Sequence, residues 1–145
     1  MNYPFQKIMV IDDSEMDRYI LSRFALKYFF SKEVIEFNMA KKALTYFTQQ
    51  QNTIALLPEI IFLDINMPEM NGFEFLDVFW AFPEAVVSKV NIIVLTSSNN
   101  PADSERALAN PLVCAYHNKP LNEEKLKRIV GQIRKQPVQP AIEKR

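Results

Sequence analysis

The sequence predicts an α/β protein: a doubly wound, five-stranded parallel sheet covered by helices on both faces. Three observations predict it. Short apolar runs of strand length alternate along the chain with longer segments of helical period. The first of them, Lys7 to Ile11, is a short and mainly apolar run, which fits a buried parallel strand. Strict alternation of the two implies parallel strands joined by right-handed crossovers.

The elements follow in order. Lys7 to Ile11 is the first strand and stops abruptly at Asp12-Asp13. Ser14 can cap the next helix, with Asp17 three residues on in a near capping box, and Met16, Ile20 and Phe24 recur as one face. Val34 to Phe37 reads as strand two, and Ala40 to Gln50 as a helix turning Ala43, Leu44 and Phe47 inward. Polar residues from Gln49 to Thr53 and then Pro58 separate it from strand three, Ile60 to Leu63, which also ends in an aspartate, Asp64. After Pro68 and the Asn71-Gly72 turn, Phe73, Phe75, Leu76 and Phe79 mark a third helix that Pro83 breaks. Asn91 to Leu95 is strand four, ending in Thr96, and Pro101 sits where a helix can start. Val113 to Tyr116 is a weak fifth strand, ending before Lys119-Pro120. Leu126, Ile129, Val130 and Ile133, spaced i, i+3, i+4, i+7, define a final amphipathic helix. The sum is five strands and five helices in one domain, residues 1–135. A tail, 136–145, rich in proline and charge, is expected to be disordered.

Composition narrows the function. Of 145 residues, 48% are hydrophobic and 12% aromatic, enough for a real core. Lys+Arg and Asp+Glu both number 17, so the zero net charge argues against a large nucleic-acid footprint. Met1 to Val10 lacks a signal-peptide pattern, and runs such as Val90 to Leu95 are too short to cross a bilayer. The lone Cys114 excludes an internal disulfide. These features read as a soluble, reduced, cytoplasmic protein that inserts in no membrane.

In a parallel sheet the carboxyl ends of all strands share one edge, where ligands bind in open α/β folds. At that edge stand Asp12 and Asp13, Asp64, Thr96 and Ser97, and Lys119. Three crowded carboxylates repel one another, and a hard cation with oxygen ligands relieves this. Mg²⁺ suits best, with Mn²⁺ a second candidate, because it takes a few carboxylates and coordinates phosphate oxygens. Lys119 adds a mobile positive charge and Thr96 a donor. Together they are parts of a phosphoryl-transfer site in which a carboxylate can be the nucleophile. Each residue alone has a plainer reading: an aspartate caps a helix, Thr96 makes a turn, and Lys119 is a solvated surface lysine. The functional reading rests on all of them reaching one edge in this order.

Four segments carry a family resemblance: Ile8 to Asp13; Ile61 to Gly72, with Asp64-Ile65-Asn66-Met67-Pro68-Glu69-Met70-Asn71-Gly72 the most specific; Val94 to Ser98; and Tyr116 to Pro120. Across about residues 5 to 135 the chain closely resembles the receiver domains of response regulators in two-component signalling, including the stand-alone chemotaxis regulator. The resemblance implies a flavodoxin-like (βα)5 fold with strand order 2-1-3-4-5. It implies phosphorylation at Asp64, with Asp13 and Asp64 as direct metal ligands helped by the backbone carbonyl of Asn66. Asp12 would act mainly through a metal-bound water. Thr96 looks like the switch hydroxyl, Tyr116 the coupled aromatic switch, and Lys119 the lysine that contacts the phosphoryl group. The Lys119-Pro120 bond resembles one that is cis in the family. The implied partners are a sensor histidine kinase or histidine phosphotransfer protein and a downstream protein target, with no direct nucleic acid. Such a protein is not a conventional enzyme; it catalyses only its own phosphorylation and dephosphorylation. Nothing after Ile133 reads as an output domain. Output is therefore expected from the face formed by the helix that opens at Pro101, strand five and the final helix.

The sequence also departs from the family. Ala107 to Cys114 carries Asn110-Pro111 where a glycine is common. His117 has no second His or Cys to partner it and reads as a partly exposed strand residue. Cys114 reads as a small buried filler, and Trp80 with Phe75, Phe79 and Phe82 as packing. Two other classes compete. Phosphatases of haloacid-dehalogenase type place Asp-x-Asp after the first strand and carry a cap domain; here the pair is adjacent and no cap is evident. A phosphorylation-independent interaction module would not need the intact set Asp12, Asp13, Asp64, Thr96 and Lys119.

Overall fold

The computed structural model describes residues 3–135. Five parallel strands form one sheet: β1 (Phe5–Ile11), β2 (Ser31–Phe37), β3 (Ile60–Leu63), β4 (Asn91–Thr96) and β5 (Val113–Asn118), in the order β2-β1-β3-β4-β5. The expected fold and strand order both hold. The expected tail, 136–145, lies outside the described residues. No helix among them is long and apolar enough to cross a membrane.

The three central strands are apolar where both their faces are buried, over Ile8 to Ile11, Ile60 to Leu63 and Ile92 to Leu95, while the edge strands β2 and β5 expose polar residues such as Lys32, Glu33, Glu36 and Asn118. Met9, Ile11, Ile61, Leu63, Ile92 and Val94 point into one core cluster, together with Phe47, Phe75 and Phe79. The alternate residues Ile8, Val10, Ile60, Phe62, Ile93 and Leu95 point into the other, beneath Leu21, Ala25, Leu126 and Ile129. Among the described residues the α-helices are α1 (Glu15–Lys27), α2 (Ala40–Gln50), α3 (Gly72–Phe79), α4 (Glu84–Lys89), α5 (Pro101–Ala109) and α6 (Glu123–Lys135), and a single 3-10 turn, Ile54–Leu56, precedes β3.

That is one α-helix more than the sequence predicts. The extra one, α4, follows Pro83, which stands at its N-cap; α3 itself stops earlier, at Phe79, and a turn over residues 80–82 joins the two. Its six residues are too few to display a period, although they bury Val86 and Val87. The face of α1 also differs: Leu21 and Ala25 are buried, while Met16 is 71% exposed. Met16 lies in the first turn, at the sheet's carboxyl edge, where no core extends to meet it.

The Asn110-Pro111 departure has a local cause. The Asn110 side chain accepts from the Leu112 N–H at 2.9 Å, and its carbonyl from the Val113 N–H at 3.0 Å. Its φ is −79°, so the turn needs no glycine. The chain then enters β5 with a register shift, Ile92 opposite Val113 but Ile93 opposite Ala115. Cys114 is the extra residue; it is half-buried rather than a core filler, and its Sγ lies 3.6 Å from Asn91 Oδ1. Trp80 and the neighbouring phenylalanines do pack as expected, Phe47 edge-on to Phe79 at 4.9 Å and Phe75 stacked on it at 5.6 Å.

Candidate functional site

The carboxyl ends of β1, β3, β4 and β5 deliver the polar residues. Carboxylate oxygens of Asp12, Asp13 and Asp64 all lie within 4.8 Å of one another. Asp12 and Asp64 are buried, at 5% and 6% exposure, and Asp13 faces solvent. Lys119 reaches in from the end of β5: its Nζ is 2.6 Å from Asp12, 2.8 Å from Asp17 and 3.7 Å from Asp64. Its backbone N–H donates to the Thr96 carbonyl at 2.8 Å, which ties the β5 end to the β4 end. The Lys119-Pro120 bond is cis, as expected.

Each position has a local support. The Ser14 N–H donates to Asp12 Oδ1 at 2.9 Å, and Arg18 donates to the Asp12 carbonyl at 2.8 Å. Asp64 sits where β3 ends, and the loop beyond it closes through the Gly72 N–H on the Ile65 carbonyl at 2.9 Å. Asn71 and Glu74 form a full capping box that fixes the start of α3 beside that loop. Asn66 is exposed on the loop, two residues past Asp64, and its backbone interacts with the Asp64 carboxylate.

The electrostatics follow from burial and crowding. Burial pushes the Asp64 carboxyl up to about 6, the Asp12 charge adds to it, and Lys119, Thr96 and Asn66 pull it back. Burial also raises Asp12 above its ordinary 3.8, against the hydrogen bond from Lys119. For Lys119 burial alone would lower the ammonium, but Asp12 and Asp17 outweigh it and hold the group above 10.5. The donor set is hard oxygen, carries excess negative charge and is partly exposed at Asp13, which fits a small divalent cation.

Thr96 is fully buried, and its Oγ1 accepts from the Ser98 N–H at 3.2 Å. Tyr116 is half-buried, packs on the larger core cluster and donates to the Ser98 carbonyl at 3.4 Å. Ser98 Oγ in turn donates to Asp103 Oδ2 at 2.6 Å, so one loop connects Thr96, Tyr116 and α5. His117 lies away from this group, its Nε2 3.2 Å from Gln132 Oε1.

Asp17 is not legible in the sequence as a site residue. The Ser14 hydroxyl accepts from its N–H at 3.2 Å, as a cap should, but its carboxylate turns to Lys119 instead of completing a capping box. The one signal in the sequence is the acidic pair Glu15 and Asp17 in the turn that follows Asp12-Asp13.

Known proteins show the same plan. A model of the response regulator receiver domain family matches residues 8–131. The "Probable methanogenesis regulatory protein FilR2" of Methanothrix harundinacea is 28% identical over 127 residues, covering 88% of this chain and 80% of that protein. A response regulator receiver protein from Dyadobacter fermentans is 30% identical, with a TM-score of 0.77 over 88% of this chain and 96% of that one. A two-component response regulator from Cytophaga hutchinsonii, 24% identical, superposes with a TM-score of 0.83 over 91% of this chain and 98% of that one. The chain belongs to the response regulator receiver domain family, whose members are signalling modules and not conventional enzymes.

Proposed function

We propose that this chain, as a cytoplasmic receiver unit spanning residues 1–135, accepts a phosphoryl group on Asp64 in a Mg²⁺-dependent reaction. The donor is a sensor histidine kinase or a histidine phosphotransfer protein. One observation carries the reading: three carboxylates within 4.8 Å and a lysine ammonium 3.7 Å from Asp64 share one sheet edge.

An Asp64 oxygen attacks the phosphorus of a phosphohistidine or of acetyl phosphate. The new O–P bond forms as the donor's N–P or O–P bond breaks, and that electron pair leaves with the donor. Mg²⁺ held by Asp12, Asp13, Asp64 and the Asn66 carbonyl would neutralise charge on the transferring group. Lys119 and Thr96 donate to the phosphoryl oxygens. Acetyl phosphate with Mg²⁺ is expected to label the protein once, and EDTA to suppress the labelling. An unlabelled parent protein would refute the reading.

Removing a metal ligand is expected to show directly. Asp13→Ala takes one carboxylate from the cluster and should weaken Mg²⁺ binding by roughly tenfold or more. Calorimetry measures this, and an unchanged affinity would remove Asp13 from the metal site.

The switch is proposed to run through Thr96. The Thr96 hydroxyl now interacts with the Asp64 carboxylate and accepts from the Ser98 N–H; a phosphoryl group on Asp64 would move its acceptor outward to a phosphoryl oxygen, drawing the Ser98 loop inward. Tyr116, whose hydroxyl bonds to the Ser98 carbonyl, then repacks and changes the α5-β5-α6 face that a downstream protein reads. This is a population shift needing a few kcal/mol of differential interaction. Thr96→Ala should still bind beryllofluoride at Asp64 yet lose most amide shifts on that face. Parent-like shifts in the variant would rule Thr96 out as the coupling residue.

A further inference from the structure

Lys119 does not rest on Asp64. Its Nζ is within hydrogen-bond distance of Asp12, at 2.6 Å, and Asp17, at 2.8 Å, but 3.7 Å from the Asp64 oxygen. The ammonium therefore sits on the α1 side of the site. Asp17 is the partner that no other role claims: it stands outside the three-carboxylate cluster, and its side chain is 37% exposed. A cavity of about 60 Å³, lined by Asp12, Asp17, Ile20, Leu21, Lys119 and Pro120 among others, borders the lysine stem and gives it room to shift.

We propose that Asp17 is a positioning residue that parks the Lys119 ammonium away from Asp64 and competes with the phosphoryl group for it. The inference rests on Asp64 being the acceptor. Once a divalent cation neutralises Asp12, Asp13 and Asp64, Asp17 is the remaining carboxylate in contact with Lys119. Forming the acyl phosphate then means exchanging the Asp17 contact for a phosphoryl oxygen. Asp17 thereby slows phosphorylation and shortens the life of the product. The interaction is charge-assisted and half-exposed, so its loss should be a modest kinetic effect, not an all-or-none one.

The test compares four proteins: the parent, Asp17→Asn, Asp17→Glu and Glu15→Gln. Glu15 is the other acidic residue in the first turn of α1 and is exposed, so its variant removes the same helix-terminal charge without the lysine contact. With acetyl phosphate and Mg²⁺, Asp17→Asn should label roughly fivefold faster and lose its label roughly fivefold more slowly. Asp17→Glu, which can still reach Lys119, and Glu15→Gln should behave as the parent. In the metal-free proteins, the Lys119 side-chain ¹⁵N signal should move in Asp17→Asn and stay in Glu15→Gln. A parent that labels alongside an Asp17→Asn that labels at the parental rate overturns the proposal and leaves Asp64 as acceptor. An equal gain in Glu15→Gln assigns the effect to bulk charge and overturns it too. A parent that does not label removes the Asp64 reading and this inference with it.

Discussion

Asp64→Asn will abolish labelling by acetyl phosphate and, in the metal-free protein, raise stability by about 2–3 kcal/mol at pH 7. The first effect follows from the proposed chemistry: the amide keeps the shape but lacks the anionic oxygen that an attack on phosphorus requires. The second follows from burial. Asp64 is 6% exposed, and its carboxyl is pushed up to about 6 from 3.8, first by desolvation and then by the Asp12 charge. A carboxyl raised in the folded state binds its proton more tightly there than in the unfolded chain. Stability of the metal-free parent therefore falls as pH rises from about 4 to about 6, and the loss is complete above that window. The asparagine variant has no such loss, so the two proteins should match near pH 3.5 and diverge at pH 7. Urea unfolding at both pH values, with and without Mg²⁺, measures this. Mg²⁺ should restore the parent at pH 7 and do little for the variant. Equal midpoints at pH 7 in the metal-free proteins, or full labelling of the variant at another residue, would show that Asp64 is not the strained acceptor.

Gly72→Ala should cost about 2–4 kcal/mol and lower the melting temperature by roughly 5–12 °C. The reason is steric and local. A Cβ on Gly72 would stand 2.6 Å from the Asp64 carbonyl oxygen and 2.9 Å from the Ile65 Cα, both backbone atoms. Neither can swing aside as a flexible side chain could. The α3 N-terminus is pinned by the Asn71–Glu74 capping box, and the Gly72 N–H is bonded to the Ile65 carbonyl. Relief must come from moving the end of β3, which carries Asp64. Labelling of Asp64 should slow along with the stability loss. By contrast Gly131, where an added Cβ would meet nothing within 4 Å, should accept alanine without loss. Thermal melts of the two variants give the comparison. A Gly72→Ala protein that melts with the parent would mean that the close approach does not constrain the loop.

Much of this arrangement is legible in the sequence. Strand order is implied by resemblance, and the buried strands by their unbroken apolar runs. The meeting of Asp12, Asp13, Asp64, Thr96 and Lys119 at one edge follows from parallel strands alone, because every carboxyl end then shares that edge. The short α4 is not legible, because six residues cannot display a period. Nor is the exposure of Met16, because spacing identifies a face but not where along a helix the core ends. The half-buried position of Cys114 is equally hidden, because a register shift in β5 is a property of the pairing with β4.

The sequence by itself therefore determined the element order, the parallel sheet and the identities of the residues at its carboxyl edge, since local periodicity and chain direction encode all three. Tertiary structure alone decided the partners and the energies. Lys119 and Asp17 are 102 residues apart, and only the packing of α1 beside the end of β5 makes them neighbours at 2.8 Å. The raised carboxyl of Asp64 likewise comes from the depth of its burial and the closeness of Asp12, quantities set by three-dimensional distance and not by position along the chain.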